Sequence, residues 1–223
     1  MKSLLIICSF LMLSFISHKK TKVVFLGDSI TQMGINKGGY INLIEEKLIN
    51  KGIADKYELI GAGIGGNKVY DLYLRIEEDV LDKKPDIVFI YIGINDVWHK
   101  TSGIGTDIKK YEQFYSAIIK KIKNSGAKVV LCTPTVIGEK LNNGNPQDSD
   151  LNAYSDVVRR LAELNNCSLV DLRKVFITTL EKENPSNKEQ GVLTNDRVHL
   201  NEKGNNLVAE EMMKAIESLY IKK

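Results

Sequence analysis

A chain of 223 residues, 43% of them hydrophobic, can bury one substantial core, and nothing in its composition calls for a second domain. Its formal charge of +3 is carried by dispersed lysines, three of which (Lys2, Lys19, Lys20) lie in the N-terminal stretch, so the balance excludes a strong polyanion-binding surface and argues against a nucleic-acid partner. With His18, His99 and His199 as its only histidines, all far apart, and three scattered cysteines, the sequence holds no metal-ligand cluster.

The chain opens with Met1-Lys2, an uncharged run from Ser3 to Ile16, and Ser17-His18-Lys19-Lys20. That is the charged start and apolar middle of a secretory signal. The run falls short of the roughly 20 residues of a comfortable membrane span. No small-x-small pair marks a cleavage point, and Ile7 before Cys8 is not the small residue that lipoprotein processing requires. The expected organisation is a leader or anchor over residues 1–20, with cleavage and anchoring left open, and one domain over 21–223. The expected destination is outside the cytoplasm, with no stable membrane span after processing.

Beyond the leader, strand-like runs alternate with helical patterns. Lys22–Leu26 reads as a buried strand that breaks into Gly27-Asp28-Ser29-Ile30-Thr31. Tyr40, Ile41, Leu43, Ile44 and Leu48 follow at helical spacing. Tyr57–Ile60 is the second strand, ending in the glycine cluster at 61–66, and Val69, Leu72, Leu74, Ile76, Val80 and Leu81 mark the next helical segment. Asp86–Ile92 leads into Gly93-Ile94-Asn95-Asp96, and Lys128–Thr133 into a polar segment from Val136 to Asp150. Ser168–Asp171 is a fifth strand. Near the C-terminus Asp196-Arg197-Val198-His199 precedes a helix over about Glu202 to Leu219, with Asn201 as its cap. Cys132 and Cys167 fall in the fourth and fifth strand-like runs and read as free buried thiols, because a domain of this size needs no disulfide.

Strand, helix, strand repeated in this way implies an α/β protein with a mainly parallel five-stranded sheet covered on both faces. In a parallel sheet every carboxyl end points to one rim, where open α/β folds bind ligands. Ser29, Gly66 and Asn95 each follow a strand and would share that rim, and His199 reaches it from the side. Ser29 is a weak nucleophile unless a base takes its proton, and His199 is the only credible base. Asp196, three residues earlier, can accept the imidazole Nδ1–H and leave Nε2 facing Ser29. A tetrahedral intermediate would find donors in the Ser29 backbone N–H, a glycine N–H of the second block and the Asn95 amide.

Each residue also has an ordinary structural role available. Asp28-Ser29 can cap a helix, Asn95-Asp96 can form a turn, and Asp196 can stabilise one. Their joint occurrence favours the catalytic set. Gly61-Ala62-Gly63-Ile64-Gly65-Gly66 formally satisfies the dinucleotide-binding G-x-G-x-x-G, but Asp96, the acidic residue at the next strand end, lies about 30 residues on where about 20 is expected. That alternative also leaves Ser29 and the Asp196–His199 pair without a role. A non-catalytic ligand-binding protein of the same fold is the other alternative.

In order and spacing, Gly27-Asp28-Ser29-Ile30-Thr31, the glycines at 61–66, Gly93-Ile94-Asn95-Asp96 and Asp196-x-x-His199 resemble the four blocks of the SGNH (GDSL) hydrolase family. The resemblance runs from about Lys22 to the C-terminal helix. It implies a flavodoxin-like three-layer α/β/α sandwich and ester hydrolysis through a serine acyl-enzyme with no cofactor. It assigns Ser29, Asp196 and His199 as the catalytic residues and Ser29, Gly66 and Asn95 as the oxyanion hole. The oxyanion glycine aligns best with Gly66, followed here by Asn67 where an aspartate is common, and Gly65 is the fallback.

The substrate is read from the segment 136–150. Its Asn142, Asn143, Asn145 and Gln147 either line the pocket, where amides suit sugar hydroxyls, or form a solvated loop. A short-chain acetyl ester on carbohydrate is the expected substrate, with lysophospholipid as the alternative. The lack of a lid-like amphipathic insertion argues against a triglyceride lipase. His99, beside Trp98, reads as a rim or loop residue.

Overall fold

The computed structural model describes residues 19–221; the leader expected over 1–20 lies outside them, apart from Lys19 and Lys20. In chain order the elements are β1 (Thr21–Gly27), α1 (Ser29–Gly34), α2 (Tyr40–Asn50), β2 (Tyr57–Gly63), α3 (Val69–Asp79), β3 (Ile87–Tyr91), α4 (Ile94–Trp98), α5 (Ile108–Asn124), β4 (Lys128–Cys132), α6 (Asp148–Leu164), β5 (Ser168–Val170), α7 (Leu172–Glu183) and α8 (Glu202–Ile221). The five strands form one sheet in the order β2-β1-β3-β4-β5, and every neighbouring pair is parallel. This is the expected flavodoxin-like α/β/α arrangement.

The strands are parallel because each is followed by helical chain that must return across a face of the sheet before the next can begin. Both faces are therefore covered, and the central strands carry unbroken buried runs: Val23 to Leu26 and Ile87 to Tyr91 are all buried. Phe25 and Phe89 stack between the two central strands with ring centroids 5.1 Å apart. On one face α2 packs against α8; on the other α3 packs against α5, and α5 against α6. Three fully buried tyrosines on the α5/α6 side keep their hydroxyls satisfied. Tyr115 donates to the Ile90 carbonyl at 3.1 Å, Tyr111 to Ile92 at 3.0 Å, and Tyr154 to Thr106. The helix α8 begins as expected, with the Asn201 side chain accepting the Gly204 N–H at 3.0 Å.

Two elements differ from the sequence expectation. The strand β2 runs on through Gly61 and Gly63 instead of stopping at Ile60, because its ladder with β1 continues through Phe25↔Gly61 to Gly27↔Gly63. Glycine is required at 63, where a Cβ would lie 2.1 Å from the Gln32 backbone nitrogen of α1. The segment 136–150 is also a packed strut, not a solvated loop. Val136, Ile137 and Glu139 are buried, as are Asn145 and Asp148. The Asn145 amide is spent on the Lys140 carbonyl and the Asp148 carboxylate, and the exposed positions are Asn142 to Gly144, Pro146 and Ser149. Asp148 itself forms a buried ion pair with Arg173 at 2.8 Å. The described cysteines are both free thiols, Cys132 buried as expected and Cys167 only half-buried.

The chain leaves β1 for one sheet neighbour, β2, and returns to the other side of β1 as β3. The carboxyl end of β1 is thus a topological switch point, where the connections diverge and leave a crevice. Ser29 stands at that position.

Candidate active site

Strand β1 ends at Gly27, and Asp28 caps the short helix α1, its Oδ1 accepting the Ile30 N–H at 3.0 Å. Ser29 is the first helical residue, only partly buried, so its hydroxyl stands at the rim. Its Oγ lies 3.0 Å from His199 Nε2 across 170 residues of sequence. On the other side of the ring, Nδ1 is 2.6 Å from Asp196 Oδ2. With a proton on Nδ1 facing the carboxylate, Nε2 is left as an acceptor for the serine proton.

Asp196 fills both of the roles open to it. Its Oδ1 closes the turn by accepting the Val198 N–H at 3.2 Å and the His199 N–H at 2.8 Å, while Oδ2 meets the imidazole. Burial pushes this carboxyl up, but the hydrogen bonds from His199 and Val198 outweigh it and hold the group below the usual carboxylate range. It therefore stays an acceptor at any working pH near neutrality.

The second block forms a tight turn, with the Asn67 N–H on the Ile64 carbonyl at 3.3 Å and Gly66 at φ +76°. That left-handed angle suits glycine at the third position of a type II turn. The two candidate glycines are distinguished by their hydrogen bonds. The Gly65 N–H is engaged by Gln32 Oε1 at 2.8 Å, whereas the Gly66 N–H has no protein acceptor among the described residues. Asn95 is buried at the start of α4, and its Nδ2 donates to the Asn67 carbonyl at 3.1 Å, which turns the amide toward the glycine turn. The first two glycines of the G-x-G-x-x-G pattern lie inside β2, and α3 begins only at Val69, so the cluster does not open a helix as a dinucleotide-binding turn does.

Several further residues support this rim, and one of them, Arg75, was not singled out from sequence. Arg75 on α3 ties the first block to the second: its guanidinium donates to the Gly27 carbonyl at 2.8 Å, the Ala62 carbonyl at 3.0 Å and Asn67 Oδ1 at 2.7 Å. Beneath the serine lie two buried carboxyls. Burial drives Asp28 up to about 7, and the nearby Asp96 charge adds to the shift. Burial likewise lifts Asp96 to about 6, against the Val69 N–H it accepts at 3.2 Å. Trp98, the one tryptophan of the chain, is 36% exposed and stands edge-to-face with the His199 ring, centroids 6.5 Å apart. Its place one helical turn after Asn95 was the available signal. His99 lies against Trp98, with centroids at 5.7 Å, and desolvation together with Lys68 pulls its imidazole below the usual histidine range. Among the described residues, no group of three or more His, Cys, Asp or Glu side chains is gathered to hold a metal ion.

A doubly wound parallel sheet with serine, histidine and aspartate in hydrogen-bond sequence at its switch point is the architecture of an α/β serine hydrolase. The chain belongs to the GDSL-like lipase/acylhydrolase family, whose sequence profile matches residues 25–207. It is a carboxylic ester hydrolase. It is 31% identical to an acetylxylan esterase of Geobacillus stearothermophilus over 217 residues, covering 87% of this chain and 93% of that protein. Among solved structures, the acetyl xylan esterase AlAXEase is 58% identical with a TM-score of 0.86, covering 87% of this chain and 99% of that one. An uncharacterized lipoprotein of Bacillus subtilis (strain 168), YqeF, is 29% identical over 137 residues, 54% of this chain and 56% of that protein.

Proposed function

We propose that the protein removes acetyl groups from acetylated xylo-oligosaccharides through an acetyl-enzyme on Ser29. The observation that carries this reading is the pair of distances, 3.0 Å from Ser29 Oγ to His199 Nε2 and 2.6 Å from Nδ1 to Asp196. As Ser29 Oγ attacks the acetyl carbonyl carbon, its proton passes to Nε2 and Asp196 stabilises the imidazolium that forms. The negative charge developing on the carbonyl oxygen is met by the backbone N–H groups of Ser29 and Gly66 and by the Asn95 amide. Collapse breaks the carbon–oxygen bond to the sugar, and the departing sugar oxygen takes the proton from Nε2 to become a hydroxyl. Water then gives a proton to the same nitrogen as it attacks the acetyl carbon, and Ser29 leaves with that proton as acetate is released.

The carbohydrate part rests on the named activity of the two acetylxylan esterase relatives, together with Trp98. A half-exposed indole 6.5 Å from the His199 ring offers a flat wall against which a pyranose face can rest while its ester reaches Ser29. Residues 21–223 act as one domain in this reading. The leader expected from the sequence and the likeness to a named lipoprotein support a place outside the cytoplasm. Among the described residues no helix is long and apolar enough to cross a membrane.

The test is incubation of the purified protein with acetylated xylo-oligosaccharides, with the products read by mass spectrometry and Ser29→Ala run beside it. Stepwise loss of acetyl groups that stops in Ser29→Ala is the expected result. Unchanged oligosaccharide together with turnover of lysophosphatidylcholine would overturn the substrate assignment.

A further inference from the structure

Glu139 has no solvent-exposed surface, yet its carboxylate meets no lysine or arginine among the described residues. The nearby cations Lys140 and Arg197 are both directed at Glu189 instead. What faces Glu139 is one short stretch of chain. The Val192 N–H donates to Oε2 at 2.8 Å, and Oε1 accepts the Leu193 N–H at 2.7 Å, the Thr194 N–H at 2.6 Å and the Thr194 hydroxyl at 2.7 Å. An unpaired buried charge is costly, and it persists only where a dense set of aimed donors replaces its water. Three consecutive backbone amides are thereby fixed to a single side chain.

That stretch leads directly into the candidate catalytic turn. Residues 191–201 fold back on themselves through a Thr194↔Leu200 bridge, with the Asn195 N–H on the His199 carbonyl at 2.8 Å and the Asn201 N–H on Leu193 at 3.0 Å. Asp196 to His199 form the tip, and Arg197 within it sits at φ +80°, a conformation unfavourable for a residue with a side chain. The strut carrying Glu139 grips the tip as well, since the Gly138 N–H donates to the Arg197 carbonyl at 2.8 Å. A strained tip keeps its shape only if its base is held.

We propose that Glu139 is a positioning residue for ester hydrolysis: by clamping 192–194 it holds the Asp196–His199 turn in the register that points Nε2 at Ser29. The inference rests on the assignment of Ser29, His199 and Asp196 made above.

Glu139→Gln keeps the volume but sets an NH₂ group against N–H donors, so the clamp loosens without leaving a cavity. With p-nitrophenyl acetate, kcat is expected to fall about 10- to 100-fold, as a misplacement of about 1 Å does, with KM little changed. The decisive comparison is the same substitution in an Asp196→Ala background. If Glu139 acts through the Asp196–His199 pair, its effect largely disappears there, whereas a general loss of folded protein lowers both backgrounds by the same factor. Equal factors in both backgrounds, or a lowered Tm with kcat per folded molecule unchanged, would overturn the inference while leaving the Ser29 assignment intact. Full activity in Asp196→Ala alone would instead remove the assignment on which it rests. Should Glu139→Gln not fold, Thr194→Val, which deletes one donor and keeps the backbone, carries the same comparison with a smaller drop.

Discussion

The carboxyl of Asp28 is buried next to Ser29, the proposed nucleophile, and its replacement by asparagine tests the electrostatics of the site without touching the proposed Ser29–His199–Asp196 relay. Burial raises it from 3.8 to about 7 in the folded chain. For an acid shifted upward, the unfolded state loses its proton first. Folding stability is therefore undiminished below about pH 4, falls as pH rises through the folded pKa, and carries the full penalty above it. Three pKa units at 1.36 kcal/mol each set that penalty at roughly 4 kcal/mol. Asparagine has the shape of the protonated acid and keeps an oxygen for the Ile30 N–H, so the helix cap survives. Asp28→Asn should raise Tm by on the order of 10 °C at pH 8 and by almost nothing at pH 4. Thermal unfolding followed by circular dichroism at pH 4, 6 and 8 provides the readout. A shift of equal size at all three values, or a destabilised variant at pH 8, would refute the argument that desolvation of the carboxylate governs this position.

The remaining expectations concern the reaction. In the proposed mechanism the Asn95 amide, held toward the glycine turn by the Asn67 carbonyl, meets charge that develops only in the transition state, so Asn95→Ala should lower kcat roughly 10²- to 10³-fold with KM little changed. Steady-state kinetics on p-nitrophenyl acetate would show this, and an unaltered kcat would remove Asn95 from the mechanism. If the Trp98 indole is the wall for the sugar, as proposed, Trp98→Ala should raise KM for acetylated xylo-oligosaccharides while leaving kcat/KM for p-nitrophenyl acetate near that of the parent. An equal loss on both substrates would mean that Trp98 supports the His199 ring and not the sugar.

What could be read from the sequence was what is encoded locally. A run of buried residues followed by Gly-Asp-Ser fixes where β1 stops and Ser29 begins. Asp196 and His199 are three residues apart and close their own turn, so their pairing needs no knowledge of the rest of the fold. The choice between Gly65 and Gly66 was not local. It depends on Gln32, 33 residues away, whose side chain occupies the Gly65 N–H. Glu139 was hidden for a similar reason: its partners lie 53 to 55 residues later and are mostly backbone amides, which leave no mark in residue type. The polar composition of 136–150 was misleading because several of its polar groups turn inward, Asn145 to its own loop and Glu139 to the segment 192–194 that leads into the Asp196–His199 turn. Glycine's poor strand propensity likewise hid the last turn of pairing in β2, where close contact with α1 outweighs it.

The central claim is that an acetyl group passes through Ser29 Oγ, and trapping that intermediate tests it most directly. The protein is mixed with excess p-nitrophenyl acetate, quenched in acid within the first turnovers, digested and mapped by mass spectrometry. The expected result is the added mass of one acetyl group on the peptide containing Ser29, with no such species in Ser29→Ala. Acetylation at another residue during active turnover, or p-nitrophenol release that persists undiminished in Ser29→Ala, would contradict it.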